Sequence, residues 1–182
     1  RKYRNSIFVY FGTCSVYDHL LNQSSYVKHK LAMEKLVRDN HDHYHIFRIS
    51  NLAGHTSNTH TVLNFFVQHI ISGEIFYLWK NASRNIIDLD DAFSICHEIL
   101  QKDLFRNEIV NIANPSNYPV VQIIESIEKV LQKKGHYELI DKGSNPEIHT
   151  EQIRALISDL SIQFDSTYLC RTIKKYFGPN DI

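Results

Sequence analysis

At 182 residues, 43% of them hydrophobic, the chain can bury a substantial core, either as one domain or as most of one and part of another. Its 20 basic and 20 acidic residues cancel, so bulk charge gives no basis for a nucleic-acid or anionic-membrane partner, and the basic clusters at Arg1–Arg4 and Arg171–Lys175 read as solvated surface. Three cysteines, at 14, 96 and 170, form no metal spacing and leave an odd thiol; with no signal-peptide pattern and no apolar run near the ~18 residues of a membrane span, the expectation is a cytoplasmic protein.

In chain order, strands are expected at 6–12, 44–50, 75–79, 85–88 and 108–112, and helices at 26–39, 58–72, 90–101, 119–133, 150–156 and 166–176. This alternation favours a mostly parallel sheet. The first segment, IFVYFGTCSVYD, reads as a buried strand that breaks at Gly12 into a hydroxyl-rich loop with Thr13 and Ser15. The next, SSYVKHKLAMEKLVRDN, is amphipathic and carries Tyr26 and Lys30 one helical turn apart on one face. A phenol beside an ammonium can have its pKa lowered towards neutrality, which suits general acid/base work on an alcohol or ketone. Arg48, mid-strand between Phe47 and Ile49, calls for a structural ion pair. Gly54 and Ser57 precede the second helix, Asp88–Asp91 can cap the third, Asn114–Asn117 reads as a turn, and Pro119 as an early helix residue.

A strand ending in a hydroxyl, followed by a Tyr-x-x-x-Lys helix, resembles the short-chain dehydrogenase/reductase superfamily, and more narrowly its extended branch, the NAD-dependent epimerase/dehydratase family acting on nucleotide sugars. FRISNLAG (47–54), GEIFYLWKNASRNIIDLDDAFSIC (73–96), NIANPSNYPVVQIIESIEKVL (111–131) and the stretch 148–177 are similar to successive later segments of that family. The resemblance thus covers nearly all of this chain but only the rear part of the family. It implies an α/β fold, a Rossmann-like, mostly parallel sheet with a small C-terminal substrate-binding subdomain. Residues 1–112 would be the rear of the NAD(P)-binding domain with interleaved substrate segments, and 113–182 the closing, substrate-binding segment.

What the resemblance implies for single residues follows the same motifs. Thr13, in TCSVY, supplies a hydroxyl to the reacting sugar oxygen; its bland reading is a loop threonine satisfying its own backbone. Tyr26 is the acid/base, and Lys30 tunes it and binds the nicotinamide ribose of NAD or NADP. Asn51 contacts the nucleotide-sugar substrate and Arg84 its diphosphate, against readings as a turn asparagine and a solvated arginine. Family dehydratases carry acids directly after the catalytic threonine. Cys14 and Ser15 stand there instead, which argues for epimerisation or ketone reduction. Cys14 itself reads as a small buried hydrophobe. A homodimer through the Tyr-Lys helix is also implied.

There are departures. The six glycines, at 12, 54, 73, 135, 143 and 178, cannot build the glycine-rich turn that holds a dinucleotide. The chain opens on Arg1 rather than Met, so the tail of something longer is one expectation, and a non-catalytic relic or an interaction subunit is the alternative. The gap from Tyr17 to Tyr26 is short for the family, and Val27 stands where it prefers Gly. Finally, His41, His43 and His45 in HDHYH alternate as a strand-borne metal site would, but no ligand-spaced Cys or carboxylate accompanies them. A solvated connector is expected, His55, His60 and His69 are read the same way, and no metal is assigned.

Overall fold

The computed structural model describes residues 6–178. In chain order its elements are β1 (Phe8–Thr13), α1 (Ser25–Asn40), β2 (Tyr44–Ile49), β3 (Asn51–Ala53), α2 (Val62–Ser72), β4 (Phe76–Trp79), β5 (Ser83–Arg84) and β6 (Ile86–Asp88). There follow α3 (Leu89–Gln101), β7 (Ile109–Ile112), β8 (Tyr118–Pro119), α4 (Val120–Leu131), β9 (Tyr137–Ile140), α5 (Arg154–Asp159) and α6 (Tyr168–Phe177). The segments interleave into two compact units. The first runs to Ser50 and takes in Asp90–Pro115 and Glu147–Ile162; the second takes Asn51–Leu89, Ser116–Pro146 and the chain from Gln163.

The first unit is built on a parallel three-stranded sheet in the order β1-β2-β7. Phe8 pairs with Tyr44, Gly12 with Arg48 and Thr13 with Ile49, while Ile46 pairs with Ile109 and Ile49 with Ile112. Apolar runs buried on both faces are what parallel strands demand, and Ile46, Phe47, Val110 and Ile112 are fully buried. Helix α1 starts where the Ser24 side chain accepts the Val27 N–H at 3.2 Å, an N-cap bond. It turns Val27 and Val37 inward, and Val37 packs with Tyr44 and Ile46.

The second unit holds parallel pairs β3-β6 and β4-β9 and one antiparallel pair, β5-β8. Its core gathers Leu63, Phe66 and Ile70 of α2, Ile123, Ile124 and Ile127 of α4, and Tyr168, Leu169 and Ile173 of α6. At the end of α2, Gly73 adopts φ +77, the left-handed conformation that closes helices and that a Cβ disfavours. Asp88 is buried in this unit: Lys175 Nζ donates to its two oxygens at 2.9 and 3.0 Å, and Tyr176 Oη donates at 3.1 Å.

The mixed α/β fold with parallel sheets is the expected one, and each expected strand is found within two residues. Several local expectations are corrected. Helix α2 begins at Val62 rather than 58, because Asn58 Oδ1 accepts the His60 N–H and its carbonyl accepts from Asn64, bonds that hold a turn against the helix. Pro119 lies before the helix, not in it, as N-cap of α4 and partner of Ser83 in β8. The helix expected at 150–156 is a 3-10 turn at Glu151–Ile153 leading into α5. Strands β3, β5, β8 and β9 were not anticipated.

Candidate functional site

Of the five expected site residues, Thr13, Tyr26 and Lys30 lie in the first unit and Asn51 and Arg84 in the second. Thr13 ends β1 in extended conformation and caps the 3-10 turn Cys14–Tyr17. Its Oγ1 accepts the Ser15 N–H at 3.1 Å and donates to Ser15 Oγ at 3.1 Å, so the capping role and a hydroxyl at the strand end coexist. Tyr26 is the second residue of α1 and is 54% exposed. Lys30, one turn on, donates to the Phe11 carbonyl at 2.9 Å, and its Nζ lies 5.8 Å from the Tyr26 ring centre and 5.3 Å from that of Tyr10. One ammonium therefore ties the helix that carries Tyr26 to the strand that ends in Thr13.

Beneath this lies a network that sequence reasoning reached only through Arg48. The guanidinium meets Glu34, which is 2% exposed, through Nε at 3.0 Å and Nη2 at 2.7 Å, and donates from Nη1 to Tyr17 Oη at 2.9 Å. Tyr17 Oη in turn donates to Asn111 Oδ1 at 2.9 Å, and Asn111 Nδ2 to the His149 carbonyl at 2.9 Å. Burial works to lower the Arg48 pKa, but the hydrogen bonds to Glu34 and Tyr17 outweigh it and raise it. The structural ion pair expected of Arg48 is thus present. Gly12 makes room for it: a Cβ there would stand 2.8 Å from Glu34 Oε1 and 3.3 Å from Arg48 Cγ. Cys14 is the small buried residue expected; its thiol donates to the Arg48 carbonyl, and burial pushes its pKa up to about 12.

In the second unit Asn51 opens β3 and sends both its backbone N–H and its Nδ2 to the Asn85 carbonyl, at 3.2 and 2.8 Å. Arg84, half-buried in β5, donates from Nη1 to the Ser83 carbonyl at 2.8 Å. Asn85, the chain neighbour of Arg84, is thus the partner of Asn51. Asn85 Nδ2 donates to Asn117 Oδ1 at 3.0 Å, and Asn117 Nδ2 to Asn145 Oδ1 at 3.0 Å and to the Pro146 carbonyl at 2.7 Å. The sequence signal for this amide network was the turn read at Asn114–Asn117.

The histidines need a correction. His41, His55 and His60 are exposed, but His69 is half-buried against Phe65 and Phe76, His45 is fully buried in β2, and it and the half-buried His43 both meet Asp103. Burial outweighs the bond to Asp103 and lowers the His45 pKa. Asp103, 58 residues away from His45, was the companion carboxylate that spacing could not reveal.

With this geometry in place, the sequence comparison is decisive: residues 1–113 match the NAD-dependent epimerase/dehydratase family, well over half of the chain. The chain belongs to that family. Its fold is shared by solved relatives at low identity. The dTDP-glucose 4,6-dehydratase of Bacillus anthracis, in complex with NAD, superposes with a TM-score of 0.73 at 18% identity over 96% of this chain and 63% of its own. The UDP-glucuronic acid 4-epimerase of Bacillus cereus, also with NAD, gives 0.70 at 19% identity over 94% and 61%. RMD from Pseudomonas aeruginosa, complexed with NADPH, gives 0.68 at 14% over 94% and 66%. The chain thus spans somewhat over three fifths of the first two relatives' length. No curated protein matches the sequence. Among the described residues no helix is long and apolar enough to cross a membrane.

Proposed function

We propose that this chain carries the proton-transfer and substrate-facing part of an NAD(P)-dependent nucleotide-sugar epimerase or reductase. The observation that carries this reading is the Lys30 bridge to the Phe11 carbonyl, which sets the exposed Tyr26 helix against the strand ending in Thr13. Tyr26 would take the proton from a sugar hydroxyl and return it to the ketone oxygen, while the Thr13 hydroxyl, turning from Ser15, would donate to the same oxygen. The nicotinamide, when bound, supplies the hydride acceptor and donor. Lys30 fits its ribose hydroxyls, since an ammonium has three donors and only one goes to Phe11. Arg84 would face the diphosphate and Asn51 the substrate. Cys14 and Ser15, in place of acids, favour epimerisation or ketone reduction over dehydration. A homodimer through α1 belongs to the same reading, and Leu31 and Leu36 are exposed on that helix, at 39% and 54%.

A second reading is a binding or interaction subunit without turnover, for which the exposed side chains of Ile75, Tyr77 and Leu139 in the second unit offer apolar surface. The test is Tyr26→Phe, assayed with UDP-hexoses and NAD or NADP. The expected result is a loss of about 10²–10⁴-fold in turnover with substrate binding retained. Equal turnover in variant and parent would sink the catalytic role of Tyr26. If neither dinucleotide nor nucleotide sugar raises the melting temperature, the second reading holds, because any ligand that favours the folded state must raise it.

A further inference from the structure

His43 and His45 stand apart from the Tyr26–Lys30 arrangement. Alternate positions at the head of β2 put both side chains on one face of the strand. The turn that follows α3 is stitched to this point. Asn107 donates its backbone N–H to the Tyr44 carbonyl at 2.9 Å, accepts the Tyr44 N–H on Oδ1 at 3.0 Å and gives Nδ2 to the Asp42 carbonyl at 3.1 Å. Asp103, Phe105 and Asn107 take positive φ in this turn, at 49, 55 and 61, and the tight path lays the Asp103 carboxylate over the two imidazoles. Its Oδ1 lies 2.8 Å from His43 Nε2 and 3.3 Å from His45 Nε2, and its Oδ2 accepts from Arg106 Nε at 2.8 Å. The three potential ligand atoms all lie within 4.8 Å of one another.

We infer that His43, His45 and Asp103 form a binding site for a divalent transition-metal ion, with Zn²⁺ the best chemical match. A tetrahedral zinc with bonds of 2.0–2.1 Å places neighbouring ligand atoms about 3.4 Å apart. The 3.3 Å between His45 Nε2 and Asp103 Oδ1 matches that spacing, and the 2.8 Å hydrogen bond from His43 would open by about 0.6 Å to admit the ion. Two imidazoles and one carboxylate suit a borderline ion, whereas Ca²⁺ and Mg²⁺ prefer all-oxygen shells. A water completes the fourth position. Access is one-sided: the His45 side chain is fully buried, while those of His43 and Asp103 are 27% and 30% exposed.

Coordination through Nε2 moves the proton of each neutral imidazole to Nδ1. For His45 this leaves a buried N–H on Nδ1 without a hydrogen-bond partner, a cost that lowers the affinity expected of the site. Arg106 fixes the carboxylate through Oδ2, so Oδ1 would exchange its bonds to the two imidazoles for the ion, but the guanidinium charge opposes the ion and modest affinity is expected. The role is structural: the ion would clamp the head of β2 to the turn before β7.

The test is titration of tag-free, chelator-treated full chain with Zn²⁺ by calorimetry and with Co²⁺ by visible spectroscopy. One equivalent should bind, Co²⁺ should show tetrahedral d–d absorption, and Zn²⁺ should raise the melting temperature. His43→Ala and Asp103→Asn should each weaken binding more than about tenfold, the least a direct ligand should cost when outer partners already cost that much. His149→Ala, an exposed histidine beside Glu151, should leave binding unchanged. Absence of saturation near one equivalent, or binding that His43→Ala and Asp103→Asn leave intact, overturns the site.

Discussion

Glu34→Gln isolates the ion pair beneath the Tyr26–Lys30 helix. The carboxylate is 2% exposed and the Arg48 side chain 15%, and two bonds of 2.7 and 3.0 Å join them. Removing one member of a buried pair costs about 3–5 kcal/mol, because the other charge is left without compensation. Gln keeps the volume and one acceptor, and Arg48 keeps Tyr17 and an exposed edge. The low end, about 3 kcal/mol, is therefore expected. With a urea slope of about 2–3 kcal/mol per molar, the unfolding midpoint should fall by roughly 1–1.5 M. The melting temperature should fall by about 6–12 °C, at 2–4 °C per kcal/mol for a chain of this size. Glu34→Leu with Arg48→Met should recover most of the loss, since apolar residues of similar volume replace buried pairs at little cost. A midpoint within about 0.4 M of the parent for Glu34→Gln would refute the reasoning, because it would mean that water already screens the pair.

Gly12→Ala should destabilise by about 1–3 kcal/mol, the usual cost of overpacking, because the new methyl meets a Glu34 oxygen at 2.8 Å that the guanidinium pins in place. The same substitution in a Glu34→Ala background should cost little; an equal loss in both backgrounds, read by urea denaturation, would mean the clash lies elsewhere. Native thiol labelling at pH 8 should modify Cys170, which is partly exposed, and spare Cys14 and Cys96. Burial pushes both buried thiols up to about 12, so their thiolate appears only as pH rises towards that value, and full labelling below it requires unfolding. Three thiols reacting at one rate in the native protein would contradict this.

Elements with a strong local pattern were legible. The apolar run of β1 and the amphipathic stretch of α1 each declare themselves within a dozen residues. The short strands did not. Asn51–Ala53 and Ser83–Arg84 are strands because Asn85 and Pro119 present partners to them, and a stretch of two or three residues carries no period to read. Pro119 shows the same limit: its missing N–H suits a first helical turn and a strand end equally, and the pairing with Ser83 decides between them.

The site divides along a similar line. Tyr26 and Lys30 were readable because a helix puts them together whatever else the chain does. Glu34 was not, since in LAMEKLV it sits beside Lys35 and looks like an ordinary surface charge. Its burial comes from Arg48, which pairs with Gly12 in the sheet and so meets the underside of α1 where no side chain intervenes. Arg48 did signal its need for a partner, because a charge in mid-strand cannot go unpaired. His43 and His45 alternate as strand residues do, yet a solvated connector was expected of them, because Asp103 lies beyond reach of any local window. Arg48, in a regular element, exposes its demand, and in both cases the supplier, on a helix face or in a turn, looks solvated until the sheet brings it over. Buried polar residues with no evident companion are therefore the positions from which a search for distant partners should begin.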